Sequence, residues 1–334
     1  MSISVHAATA GTWAAVTVAG LGAVACGAPQ TIEIDGSSTV YPITEAVAEE
    51  FRNEQPETLV TVGISGTGGG FQRFCRGETD ISDASRPIRQ PEIDACASRQ
   101  IEFIELPVAY DGLTVVVNPK NTWATSMTVA ELKMLWEPEA EGKVTRWSQI
   151  REGWPDREVH LFGAGVDSGT FDYFTEAVVG TEDASRGDFT SSEDDNVLVQ
   201  GVGGDELALG FFGYAYYAEN KTRLKAVAIA EGADTSAAVL PSPETVRDGT
   251  YTPLSRPVFI YVRQASLERP EVAQFVEFYL EQGPKLIPEV GYVPLNDTLQ
   301  ALVGRRLEAR TTGSAFAAHG GSSRVSLEEI YADQ

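Results

Sequence analysis

Thr31-Ile32-Glu33-Ile34-Asp35-Gly36-Ser37-Ser38-Thr39-Val40-Tyr41-Pro42 decides the fold class. Its first five residues alternate polar and apolar side chains, the period of a strand. Gly36 breaks the run, three hydroxyl residues follow, and Pro42 stands where the first turn of a helix accepts it. Beyond it Ile43, Ala46, Val47 and Phe51 recur at helical spacing. The order strand, hydroxyl-rich turn, helix start then repeats. Residues 59–64 read as a strand before Ser65-Gly66-Thr67-Gly68-Gly69-Gly70-Phe71. Asp83-Ala84-Ser85-Arg86-Pro87 is a third such turn. Residues 159–162 lead to the fourth, Asp167-Ser168-Gly169-Thr170-Phe171, with Phe174 and Val178 continuing the helix. Further strands are expected at 101–106, 113–117, 209–217, 224–229 and 258–262, and helices at 129–136 and through Val272, Phe275, Val276, Tyr279 and Leu280. Alternation of this kind predicts an α/β chain with mainly parallel sheets covered by helices.

Two long apolar strands, 110–119 and 256–263, bracket a middle block. If both cross between lobes, the middle block is one lobe and the chain ends form the other. Periodicity equally allows two consecutive domains. The division adopted is 30–112 with 257–310 as lobe 1, 113–256 as lobe 2, and 311–334 as an irregular C-terminal extension rich in Gly, Ser, Ala and Thr.

The chain has 334 residues, 43% hydrophobic, enough for two modest cores. Asp and Glu number 48 against 25 Lys and Arg, a net charge of −23. Such a surface repels nucleic acid and anionic membranes. It also repels a free anion at long range, so an anionic ligand must be held by short-range groups in a shielded site. The acidic residues are scattered, which reads as solubility rather than a metal cluster.

Residues 1–26 stand apart. The small apolar run from Thr12 to Ala25 is too short to span a membrane and is broken by Gly, which fits the core of an export signal. Leu21 to Cys26 resembles a lipoprotein box, with Cys26 as the lipidated residue. The absence of Lys and Arg before it and Ala23 in place of Leu count against lipidation. Export leaves Cys75 and Cys96, which are expected to join, the alternative being two buried thiols. A bridge would enclose residues 80–89 and stiffen them by roughly 3 kcal/mol. Two cysteines and three scattered histidines offer no metal-ligand spacing, so neither metal nor cofactor is expected.

The four turns carry the chemistry. A helix N-terminus presents unpaired N–H groups and partial positive charge; Ser and Thr add O–H donors, and Gly admits a ligand to the backbone. Each turn alone is equally a set of N-caps. Open α/β sheets bind ligands beyond the carboxyl ends of their strands, where all four turns lie, so a ligand touched by all of them sits in a cleft between lobes. Arg86 is the candidate cation, since a guanidinium pairs two oxygens of a tetrahedral anion at once. Its plain alternative is a surface Arg paired with a carboxylate. Enzyme templates fail: there is no phosphate-loop Gly-Lys-Ser/Thr, the Gly66–Phe71 run has Phe where a dinucleotide fingerprint needs a last small residue, and no histidine pairs with a nucleophile.

Taken together, residues 35–42, 65–71, 75–96, 110–114, 167–174 and 201–215 resemble the phosphate-binding proteins of bacterial phosphate ABC importers, in family order over about residues 31–310. The resemblance is to the cyanobacterial-type branch. It implies the type II periplasmic binding protein fold, two lobes joined by crossing strands and closing on inorganic phosphate. It implies no catalysis, a monomer outside the cytoplasm, and a membrane permease as partner. It implies donors from Ser38, Thr39, Val40 and Thr67, or else Ser65 in place of Thr67, on one lobe and from Ser168, Gly169 and Thr170 on the other. Two departures stand out. The best-known branch has Asp where this chain has Ser85, and Arg where it has Ala164. Arg86 would replace the cation. Asp167, or else Asp83 or Asp111, would accept the proton on hydrogen phosphate and repel sulfate. The competing readings are a binding protein for another oxyanion, a secreted phosphoester-cleaving enzyme, and a sensor built on the same fold.

Overall fold

The computed structural model describes residues 1, 2, 4, 30–166, 168–192, 194–318 and 326–332. The expected signal, Cys26 and Asp167 lie outside them.

The strands are β1 (Gln30–Gly36), β2 (Thr58–Ile64), β3 (Ile81–Ala84), β4 (Phe103–Val117), β5 (Ser126–Thr128), β6 (His160–Ala164), β7 (Thr190–Ser192), β8 (Ala208–Gly213), β9 (Lys225–Ala226), β10 (Ala228–Ala230), β11 (Ser255–Arg263) and β12 (Val293–Pro294). One continuous sheet runs in the order β2-β1-β3-β11-β4-β8-β6-β7, with β9 and β12 added to β4; β5 and β10 form a separate pair. Its two ends are parallel: β1 with β2 and β3, and β6 with β7 and β8. The centre is antiparallel, because β4 and β11 run through it. The expected parallel character therefore holds for the two flanks and not for the strands that join them.

Residues 103–117 form one strand where two were expected. β4 is buried along its whole length, which its run of apolar residues requires. It pairs with β11 up to Gly112 and with β8 from Leu113. The β4–β11 register slips between Val258 and Phe259. The irregularity faces Val108 of β4, and the partner switch comes a few residues on, after Gly112.

Three further expectations need correction. The run 209–217 is not all strand: β8 ends at Gly213, where β4 has no further partner residue for it, and Tyr214–Glu219 turns helical. The strand expected at 224–229 is two short pieces, β9 and β10. The C-terminal extension is not irregular throughout, since Ala315–Ala318 and Leu327–Ala332 are helical. Glu105, fully buried in β4, explains the last point. It accepts hydrogen bonds from Tyr261 Oη (2.8 Å), Ser314 Oγ (2.7 Å), the Ala315 N–H (2.8 Å) and Tyr331 Oη (3.0 Å). A buried carboxylate needs such partners, and the tail supplies three of them.

The helices that follow the four turns are α1 (Tyr41–Glu54), α2 (Gly66–Cys75), α3 (Gln90–Ser98) and, after α4 (Val129–Trp136), α5 (Gly169–Phe174). α1 buries Ile43, Val47 and Phe51 against the helix Pro270–Leu286, where Phe51 meets Phe275 and Phe278 edge-on at 5.2 and 5.3 Å. α5 is anchored by aromatic packing. Phe174 stacks on Phe211 of β8 with centroids 3.7 Å apart, and Trp136 of α4 meets both edge-on. This anchoring aims the first turn of α5 at the loop after β1.

Candidate functional site

The loop after β1 and the start of α5 touch. Thr39 Oγ1 donates to the Gly169 carbonyl at 3.4 Å, and Ser38 Oγ donates to Asp172 Oδ2 at 3.3 Å. A Cβ on Gly169 would stand 2.7 Å from Thr39 Oγ1 and 2.8 Å from the Thr39 nitrogen, so only glycine permits this approach. Ser168 caps α5 by accepting the Thr170 N–H at 3.2 Å. The Ser38–Thr39 loop is tied down by its own turn: Ser37 Oγ accepts the Thr39 N–H at 3.2 Å, and Val40 N–H donates to the Ser37 carbonyl at 3.2 Å. Tyr292 Oη donates to the Thr39 carbonyl at 2.6 Å.

The second and third turns meet each other. Thr67 Oγ1 and Ser85 Oγ are 3.0 Å apart, and the Ser85 N–H donates to Thr67 Oγ1 at 3.2 Å. Ser65 turns instead to Asp35, which also pairs with Arg73, so of the two hydroxyls Thr67 is the one beside Ser85. α2 lies close over β1 because Gly70 has no side chain: a Cβ there would fall 2.6 Å from Gly36 Cα.

Cys75 and Cys96 are joined, linking the end of α2 to α3. α3 brings Glu92 to Arg86, whose Nη1 and Nη2 donate to the two carboxylate oxygens at 2.9 and 2.8 Å. Arg86 also lies over Phe71 at 5.6 Å, and its guanidinium is 4.0 Å from a Cβ built on Gly68. Arg86 is therefore beside the Gly-rich turn and already paired with a carboxylate.

The structure adds a second arginine that sequence reasoning passed over. Arg256, the second residue of β11, stands opposite Asp111 of β4. Its Nη2 donates to Thr39 Oγ1 at 3.1 Å, its Nε faces Asp111 Oδ2 at 3.4 Å, and its Cζ lies 3.6 Å from the Tyr173 ring centroid. Burial raises the Asp111 carboxyl and the Arg256 charge opposes the rise.

The other carboxylates differ. Asp83 is buried, and burial pushes its carboxyl up to about 8. Its backbone carbonyl takes the Ser37 N–H at 3.0 Å, while both side-chain oxygens are shut off from solvent. Asp172 is pushed up to about 6 by burial and by the neighbouring Asp183 and Glu182, against the Ser38 hydroxyl that favours its charged form. It was not among the expected residues, and of the described carboxylates it bonds directly to a residue of the Ser38–Thr39 loop. Among the described residues no group of three or more His, Cys, Asp or Glu is placed to hold a metal, and no helix is long and apolar enough to cross a membrane.

Parallel flanks joined by two antiparallel strands, with hydroxyl-rich turns meeting between them, define a two-lobed solute-binding protein. The model of the PBP superfamily domain matches residues 8–282. Protein SphX of Synechococcus elongatus is 49% identical over 301 residues, 90% of this chain and 87% of that protein. The phosphate-binding protein PstS of Staphylococcus haemolyticus is 37% identical over 260 residues, 78% of this chain and 79% of that one. The crystal structure of a possible phosphate binding protein from Planctomyces limnophilus superposes with a TM-score of 0.79 at 50% identity, covering 84% of this chain and 98% of that one. The chain belongs to the PBP superfamily, in the family that holds SphX and the PstS phosphate-binding proteins.

Proposed function

We propose that this chain is an extracytoplasmic solute-binding protein that binds inorganic phosphate and delivers it to an ABC transporter for import. The observation that carries this reading is the convergence of the Ser38–Thr39 loop and the first turn of α5, with Thr39 Oγ1 3.4 Å from the Gly169 carbonyl. Hydroxyls and N–H groups aimed at one point suit a tetrahedral oxyanion. The relatives named for phosphate binding supply the choice of anion.

In this reading residues 30–112 and 257–310 are lobe 1 and 113–256 are lobe 2. Phosphate is held by Ser38, Thr39, Val40, Thr67, Ser85 and Arg86 from lobe 1, and by Asp167, Ser168, Gly169 and Thr170 from lobe 2. Closure bends the chain where β4 changes partner and β11 slips register. The chain acts as a monomer, its acidity turns nucleic acid away, and Cys26 is the residue that a lipid anchor would use.

Calorimetric titration of purified protein, unfolded and refolded to strip bound anion, tests this reading. One-to-one phosphate binding with silent sulfate is expected. Equal binding of sulfate would widen the ligand to tetrahedral oxyanions, and silence with both from folded protein would refute the reading.

A further inference from the structure

Arg256 stands where the two flanks and the joining strands meet. Its three guanidinium nitrogens face three different parts of the chain. Nη2 donates to Thr39 Oγ1, after β1, at 3.1 Å. Nε faces Asp111, on β4, at 3.4 Å. Nη1 lies 3.9 Å from Glu176, just beyond α5. The face of the group covers Tyr173 of α5 at 3.6 Å, closer than any other cation over a ring among the described residues. Its side chain is 14% exposed and that of Asp111 is 8% exposed, so both charges are largely out of water.

The contact with Thr39 has a direction. Oγ1 accepts from Arg256, so its own hydrogen must point elsewhere, and here it points to the Gly169 carbonyl. Arg256 thus sets the Thr39 hydroxyl as a donor aimed across the cleft. The contact with Asp111 lies on the joining strands. The stack on Tyr173, which is itself bonded to the Pro253 carbonyl at 2.7 Å, holds Arg256 on the α5 side, and the bond to Thr39 is the contact that reaches across the cleft.

Resting on the phosphate reading above, we propose that Arg256 is a positioning residue that couples anion binding to lobe closure: it orients the Thr39 hydroxyl toward the anion on one side and is clamped by Tyr173 on the other. The ring keeps the guanidinium in place on the α5 side, and an anion between the turns favours the closed arrangement in which that guanidinium reaches Thr39. Arg86 has no such reach, since its carboxylate partner, Glu92, is six residues away on the same side.

The test uses the purified full chain, inorganic phosphate as the probe, calorimetry for affinity and small-angle scattering for compaction. Arg256→Lys keeps the charge and loses the fork and the stack; phosphate affinity should fall roughly 100-fold. Tyr173→Leu touches none of the proposed phosphate residues, yet affinity should fall about tenfold and phosphate should no longer compact the protein fully. Tyr173→Phe, which keeps the ring and loses only the 2.7 Å bond to the Pro253 carbonyl, should restore both. The double variant Arg256→Lys/Tyr173→Leu should lose little more than Arg256→Lys alone. Thermal melting without phosphate checks that each variant is folded. Wild-type affinity and compaction in folded Tyr173→Leu would overturn the coupling while leaving phosphate binding intact. Wild-type protein that binds no phosphate would overturn the phosphate reading, and the coupling with it.

Discussion

The two sides of the cleft are built differently. On the β1 side the turns are braced within their own flank: Cys75–Cys96 ties α2 to α3, Glu92 holds Arg86 with both oxygens, and Thr67 and Ser85 bond each other. On the β6 side α5 is six residues long, and two of its residues bond across the cleft, Asp172 to Ser38 and the Gly169 carbonyl to Thr39. In the proposed reading, one side is a wall assembled in advance, and the other completes its polar contacts on meeting that wall. The difference teaches where affinity is set and where closure is controlled. Preorganised donors on the wall cost little ordering when an anion arrives, whereas the α5 side reads whether the lobes have met.

Each prediction attacks one side. The largest effect is expected on the wall. Arg86→Ala removes a charged partner and strands Glu92, so phosphate binding should weaken by about 2–5 kcal/mol; calorimetry showing unchanged affinity would assign Arg86 to loop support alone. Replacing Cys75 and Cys96 together by Ala should lower unfolding stability by roughly 3 kcal/mol in denaturant titration, and phosphate should recover part of that loss by mass action. On the opposite side, Gly169→Ala forces a methyl group onto Thr39 and should cost about 1–3 kcal/mol of binding, with compaction on phosphate reduced in scattering. An Ala variant that still compacts fully would show that the two sides need not approach as closely as they do here.

The smallest effect is a pH dependence at Asp172. Its carboxyl is raised from 3.8 to about 6 by burial and by the neighbouring Asp183 and Glu182, against the Ser38 hydroxyl, so the folded chain favours the protonated form. The contribution to stability is complete below 3.8 and is lost as pH rises through about 6. Asp172→Asn should flatten the melting temperature across that window. An unaltered pH profile would place the proton elsewhere.

Much of this arrangement was legible in the sequence. The turn at 35–42 announced strand, loop and helix through its alternation, its Gly and its Pro. The same pattern marked the ends of β2 and β3 and the start of α5, although Gly66–Phe71 is already helix and Asp83 and Ala84 are still strand, and α4 falls at 129–136 as its spacing predicts. Local chemistry governs such elements, so local reading suffices. The cysteine pair was reached by counting and by the expectation of export. What escaped was long-range. Arg256 is 217 residues from Thr39 and reads locally as the start of an apolar strand. A signal existed in the two long strands 110–119 and 256–263: pairing them antiparallel sets Arg256 against Asp111, a charged pair in an otherwise apolar centre. Asp172 escaped because one turn into an amphipathic helix a polar residue usually faces water, and only the approach of Ser38 makes it part of the site. Residues 214–217 misled because aromatic residues favour strands, while β8 had run out of partner.

The central claim is that one anion is held between the wall and α5, and a crystal structure of the chain grown with inorganic phosphate tests it most directly. The account predicts a single tetrahedral ion within hydrogen-bonding distance of Ser38 and Thr39 on one side and of Ser168, Gly169 and Thr170 on the other, with Arg256 still bonded to Thr39. Phosphate bound at another place, or touching the β1 side alone with the lobes shut, would contradict it.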